Sequence, residues 1–286
     1  MTQDAYTLIR PALRDTSVIF SSPHSGREYS AAFLAASGLD PLILRSSEDA
    51  FVDQIFAVAP DFGAPLLAAR MPRAYLDLNR ASDELDPAVI EGVTRIAHNP
   101  RVSSGLGVIP RVVANGRPIY SGKLCMAEAE ARISRYWQPY HGALDGLLRE
   151  SHASFAEAVL IDCHSMPHEA IDAHTRPGHP RPDVVIGDRF GAAAGRDIVE
   201  QIEAAFASVG LRVVRNAPFA GAYITQAYGR PSRRQHVVQI EIDRALYMDE
   251  ERVLPRPDIA AFLGLMSKVI ADIAAIGRKQ SALAAE

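Results

Sequence analysis

Short apolar runs alternate with amphipathic stretches along most of this chain, and the alternation predicts strands and helices in turn. Residues 17–21 (SVIFS) are apolar and β-branched and end at SSPHSG, a cluster of turn formers, which predicts a buried strand opening into a loop. His24 then falls just past that strand's C-terminal end. In EDAFVDQIFAVA, Phe51, Val52, Ile55, Phe56 and Ala59 recur at helical spacing behind Ser46 and Ser47 as N-caps and two first-turn acids. Such a helix carries Asp49 and Asp53, four residues apart, on one face. PLLAA (65–69) reads as a second strand, and RVVANGRPIY (111–120) as a hairpin, because Asn115-Gly116 between apolar runs favours a type I′ turn. From Met126 to about Ala156 the pattern is helical, with a break near Pro139. AVLIDCHS (158–165) is an almost continuous apolar run, the mark of a strand covered on both faces, and His164 ends it. Beyond a His/Pro-rich loop (168–182), DVVIG (183–187) reads as a strand, residues 192–209 as a helix and LRVVR (211–215) as a strand. In HVVQIEID (236–243), Val238, Ile240 and Ile242 face one way and Gln239, Glu241 and Asp243 the other. An amphipathic helix is expected from about Asp258 to Gly277, and KQSALAAE (279–286) is expected to fray.

Strands alternating with helices predict an α/β sandwich around a largely parallel or mixed sheet. No repeat, linker or low-complexity tract divides the 286 residues, so a single domain over 1–286 is expected, with the hairpin as an excursion. A content of 48% hydrophobic and 22% charged residues suits a chain with a large core and excludes wholesale disorder, collagen and coiled coil. The net charge of −4 lacks the basic footprint of a nucleic-acid binder. Cys125 and Cys163 are too few for a disulfide framework. With no run of 18 apolar residues and no leader-like segment, the expected setting is cytoplasmic, with no membrane partner.

The familiar signatures GxSxG, P-loop and GxGxxG do not occur. HEAID (168–172) misses the HExxH zinc motif, since its fifth residue is Asp172 and Pro167 and Pro177 flank it. The chemistry instead gathers at strand ends, where open α/β sheets bind ligands: His24, His164 and Glu241 all lie there, and Asp49 or Asp53 comes after the first strand. Two imidazoles and a carboxylate around an open position form a standard catalytic zinc set, with a further Glu as general base. Structural roles compete for each residue. His24 can simply bond its own turn, Asp49 can cap a helix, and Asp53 can sit on a solvated face. Asp162 and His164 can form a satisfied core pair, and Arg244 can neutralise Glu241.

At these residues the sequence resembles the N-formylglutamate amidohydrolase family. The resemblance rests on PHSGREY (23–29), EDAFVDQIF (48–56), PRAYLDLNR (72–80), ANGRPIYSGKL (114–124), RYWQPYHGAL (135–144), IDCHSMP (161–167), GAYITQAYGRP (221–231) and QIEIDRALYMDE (239–250), in family order. It implies a three-layer αβα sandwich with a central mixed sheet, of the phosphorylase/hydrolase-like kind related to the zinc carboxypeptidases. It also implies hydrolysis of an N-formyl or N-acyl amide of an acidic amino acid, foremost N-formyl-L-glutamate to formate and L-glutamate, as in histidine catabolism. The implied cofactor is Zn2+ or another divalent metal, held by His24, His164 and Asp49, with Asp53 the second choice for the acid. Glu241 matches the general base, and Asn79 and Arg80, helped by Arg73, match the group that holds a substrate carboxylate. Zinc carboxypeptidases carry an acid three residues after the first histidine; here Arg27 stands there, so the acid is sought downstream. Relatives in histidine degradation carry a His two residues after the Asp49 position and a Thr-Arg-His run near 225, where this chain has Phe51 and Thr225-Gln226-Ala227. The alternatives are another N-acyl amino acid or a small peptide as substrate, or a carboxylate-binding protein without catalysis. The oligomeric state is left open.

Overall fold

A computed structural model describes residues 5–94, 99–113, 116–174 and 181–278. Seven strands form one mixed sheet: β1 (Tyr6–Ile9), β2 (Val18–Ser22), β3 (Leu66–Ala69), β4 (Ala158–Met166), β5 (Val184–Gly187), β6 (Val213–Arg215) and β7 (Gln235–Asp243). Their order is β1-β3-β2-β4-β7-β5-β6. The central strands β3, β2, β4 and β7 run parallel, whereas β1 is antiparallel to β3 and β5 antiparallel to β7. All nine residues of β4 are buried, as its unbroken apolar run requires of a strand covered on both faces.

The helices are α1 (Ala31–Ala36), α2 (Pro41–Arg45), α3 (Val52–Ile55), α4 (Pro100–Ser103), α5 (Met126–Arg132), α6 (Gln138–Phe155), α7 (Arg196–Ser208), α8 (Tyr223–Tyr228) and α9 (Ile259–Ile276). Two apolar cores flank the sheet and make three layers. Val18, Phe20, Val159, Ile161, Val238, Ile240 and Ile242 pack on one side against α3, α7 and α9. Ile19, Leu67, Ala158, Leu160 and Val237 pack on the other against Tyr140, Leu144, Leu147 and Leu148 of α6. The period-two alternation along β7 therefore divides its side chains as the sequence pattern implies. Helix α9 spans 18 residues with a mean hydropathy of 1.9, long and apolar enough by composition alone to cross a membrane, yet one face of it lies in the first core.

Several elements differ from the sequence expectation. The helix expected over EDAFVDQIFAVA is only the four residues of α3. Phe51 ahead of it is left-handed (φ 67°), and Ser46 ends α2 with its hydroxyl on the Ile43 carbonyl rather than capping α3. Tertiary bonds override helical propensity here: the Asp49 amide donates to the His24 carbonyl at 3.0 Å and its carboxylate is tied to other elements. Asp49 and Asp53 consequently do not share a helix face. In place of strands, the 111–120 hairpin shows a single bridge between Val112 and Pro118, and its turn residue Asn115 lies outside the described residues. The long helix is interrupted, as anticipated near Pro139, but by a π-helical segment, Ile133–Trp137, with Pro139 in the first turn of α6. The 168–182 loop contains a 3₁₀ turn over His168–His174, and residues 175–180 lie outside the described residues, as do 279–286.

Candidate active site

The C-terminal ends of the four parallel strands open into a cavity of about 550 Å³ lined by His24, Asp49, Arg73, Arg80, His164 and Glu241, among others. This is where ligands bind in open α/β sheets. Strand β2 delivers His24 through the turn at Pro23–Gly26, and a side chain at Gly26 would collide with the Met71 carbonyl. That close approach, open only to glycine, sets His24 against the segment that carries Asp77. Strand β4 delivers His164, whose register partner on β7 is Glu241.

Ligand atoms of His24, Asp49 and His164, all three buried, lie within 4.8 Å of one another. Asp49 Oδ2 is 2.9 Å from His164 Nδ1 and 3.4 Å from His24 Nδ1. The other ring nitrogens turn outward to carboxylates, His24 Nε2 to Asp77 Oδ1 at 2.7 Å and His164 Nε2 to Asp162 Oδ2 at 3.0 Å. With its Nε2 proton on Asp77, the His24 ring leaves the Nδ1 lone pair directed at Asp49, the tautomer a metal ligand needs, while His164 Nε2 also lies 3.0 Å from Asn79 Nδ2. His24 Nδ1 is buried without a hydrogen-bond partner among the described residues, a cost that a cation at this point would remove. Arg244 donates to the second Asp49 oxygen, Oδ1, at 3.0 Å and so leaves Oδ2 to the histidines.

The electrostatics agree with a cation site. Burial opposes ionisation of Asp49, yet the neighbouring His164 and His24 rings hold it well below the usual carboxylate range. Burial disfavours charge on His164 too, but the Asp162 carboxylate outweighs this and raises it well above an ordinary imidazole. The negative field that draws a proton to this ring favours positive charge at this point in general. Glu241 is pushed up to about 7, chiefly by burial, and accepts a 2.8 Å bond from Gln239.

Asp53 lies away from this cluster, half-buried and paired with Arg27 at 3.0 Å. Arg73 donates to Asp77 Oδ2 at 3.0 Å. Arg80 is buried rather than on the surface; its Nε donates to the Leu106 carbonyl and its Nη1 to the Asn79 carbonyl, both at 2.9 Å, and it lies 4.0 Å from Asp77. Asn79 donates from Nδ2 to Asp162 at 3.1 Å and accepts the Ile224 amide on Oδ1 at 2.7 Å. Neither Asp77 nor Gln239 carries a role in the pattern of candidate residues, although both line this site. The signal for Asp77 is an acid between two buried aliphatic residues, Leu76 and Leu78. His168, from the HEAID near miss, bonds Asp243 at 2.7 Å instead of joining the histidine pair.

A three-layer α/β protein with two histidines and an aspartate converging at the sheet's C-terminal edge is the class this fold and site define. The model of the N-formylglutamate amidohydrolase family matches residues 16–248, and the chain belongs to that family. It is 30% identical over 270 residues to an N-formylglutamate deformylase of Pseudomonas aeruginosa, covering 93% of this chain and 95% of that protein. A second N-formylglutamate deformylase, from Pseudomonas putida, is 30% identical over 247 residues, covering 85% of this chain and 86% of that protein. Among solved structures, the crystal structure of an N-formylglutamate amidohydrolase from Ralstonia eutropha superposes with a TM-score of 0.89 at 34% identity, covering 96% of this chain and 98% of that one. A gene product of Agrobacterium tumefaciens shares the fold at a TM-score of 0.64 and 17% identity, over 95% of each chain.

Proposed function

We propose that this chain is a zinc-type amidohydrolase that cleaves N-formyl-L-glutamate to formate and L-glutamate. The carrying observation is the convergence of two carboxylate-tied histidines and Asp49 beside Glu241 and Arg80 in one cavity. The names of the relatives supply the substrate.

In this reading His24 Nδ1, His164 Nδ1 and Asp49 Oδ2 hold the metal. A divalent cation there supplies Lewis-acid polarisation of the formyl carbonyl and acidifies water. Glu241, whose ordinary basicity is raised by burial to about 7, takes the proton of the attacking water and returns it to the departing amine. Arg80 binds a substrate carboxylate through the guanidinium edge not spent on the Leu106 and Asn79 carbonyls, and Arg73 adds positive charge beside it. Formate release from N-formylglutamate, measured together with the metal content of protein purified without chelator, tests the whole reading. Metal-free protein that still hydrolyses the substrate, or metal-loaded protein that does not, refutes it.

The acids of the 48–53 segment separate cleanly. Asp49→Asn is expected to lose the metal, whereas Asp53→Asn is expected to keep it and change stability by at most about 1 kcal/mol, because its bond to Arg27 is solvent-screened. Metal analysis of the two purified variants checks this. Arg80→Ala is expected to raise KM for N-formylglutamate roughly 10- to 100-fold, the worth of a charged hydrogen bond, and to abolish the preference for the acid over its α- or γ-amide. Steady-state kinetics on the acid and both amides decides it; an unchanged preference removes Arg80 from the carboxylate site.

A further inference from the structure

The stretch RYWQPYHGAL has no part in the chemistry above, yet its aromatic residues lie directly behind the Asn79-Arg80 pair. We propose that Trp137 and His141 are positioning residues that fix the backbone of the carboxylate clamp and so set the preference for an acidic substrate.

Leu78, Asn79 and Arg80 belong to no helix or strand, so no ladder of backbone bonds holds them. Their consecutive carbonyls are taken by side-chain donors instead. His141 Nε2 donates to the Leu78 carbonyl at 2.9 Å, Arg80 Nη1 to that of Asn79 at 2.9 Å, and Trp137 Nε1 to that of Arg80 at 2.9 Å. Trp137 and His141 are four residues apart, hence on one helix face, and their rings pack with centroids 3.9 Å apart at a tilt of 31°. The π-helical segment that ends at Trp137 accommodates an extra residue, rotating the start of α6 by about 100° relative to an uninterrupted α-helix.

Both rings are fixed donors. His141 Nδ1 contacts the Tyr228 hydroxyl at 2.9 Å, so with Nε2–H on Leu78 the neutral ring is satisfied on both sides. Burial pushes His141 down to about 4, and it stays neutral wherever the enzyme works. Tyr228 lies on α8, the helix whose Ile224 amide also holds Asn79 Oδ1 at 2.7 Å. Elements α6 and α8 thus grip the clamp from behind while Arg80 faces the cavity. Arg80 has many rotamers of its own; with its backbone pinned, less freedom is lost when a carboxylate binds.

The inference rests on the reading of Asn79-Arg80 as the carboxylate site, and the experiment separates the two. Trp137→Phe keeps a ring packed on His141 and deletes one N–H. It is expected to raise KM for N-formylglutamate roughly 10-fold with little change in kcat, and to leave zinc content and KM for the disfavoured amide unchanged. His141→Gln, which retains a donor for the Leu78 carbonyl, is expected to stay near the parent, whereas His141→Phe behaves like Trp137→Phe. A folded Trp137→Phe protein with the parent's acid-to-amide ratio, alongside an Arg80→Ala protein that has lost it, overturns the positioning role alone. An Arg80→Ala protein that keeps the ratio overturns the clamp and the inference together.

Discussion

Replacement of His164 by alanine is expected to remove the bound metal and lower kcat/KM for N-formylglutamate by about 10³ or more, the value of several kcal/mol of charge stabilisation in the transition state. His164 is central to the cluster because its two nitrogens serve different partners, Nδ1 facing Asp49 at 2.9 Å and Nε2 facing Asp162 at 3.0 Å. Its loss deletes one of three donors and leaves two buried carboxylates facing an empty space. Those carboxylates keep Arg244 and Asn79 as partners but lose the ring between them, so the variant is also expected to be less stable than the parent. His24→Ala provides the companion case, since it takes the imidazole from Asp77 in place of Asp162 and leaves Asp77 to Arg73. Metal analysis and formate release on folded protein check both. Full metal occupancy in either folded variant would falsify the assignment of that histidine.

How much of the fold and site was legible in the sequence depends on how local each signal is. His24 and His164 could be placed because a buried strand declares itself by an apolar run and its end by turn residues, and catalytic groups collect at such ends. Glu241 declared itself by its cost, a carboxylate among Val and Ile. Asp49 was legible as a residue but not as a conformation. Its helical signal was genuine, yet bonds to His24, His164 and Arg244, distant in sequence, pull the chain into a left-handed turn at Phe51. Strand β1 escaped notice because its burial alternates over only four residues at the sheet edge. The bracing of Asn79-Arg80 by Trp137 and His141 escaped for the opposite reason: 57 to 63 residues separate the partners, and nothing in either stretch announces the other.

Glu241→Gln is expected to lower kcat by about 10²- to 10⁴-fold, the usual worth of a positioned proton acceptor, while leaving the metal bound. In the parent the same group predicts an acid limb in the rate profile, with activity falling as pH drops through the Glu241 pKa. That midpoint lies at or below 7, because a bound cation favours the carboxylate over the neutral acid. The variant also carries an opposite effect on stability. In the metal-free protein burial raises Glu241 from 4.5 to about 7, so between these values the folded state keeps a proton that the unfolded state has released. Folding stability therefore declines as pH rises through that window and stays lower above it, by about 3 kcal/mol. Glutamine is neutral, nearly isosteric and still able to accept the 2.8 Å bond from Gln239, so it avoids that cost. Metal-free Glu241→Gln is accordingly expected to unfold at higher denaturant than the parent at pH 8 and at nearly the same point at pH 5. With metal bound the gain should shrink, since the cation already stabilises the ionised carboxylate. A purely structural Glu241 predicts the reverse pattern: activity retained, and stability lost to a similar extent at both pH values. Rate and denaturation measured on one pair of proteins thus test whether this residue is held at an energetic disadvantage for the sake of the proton it moves.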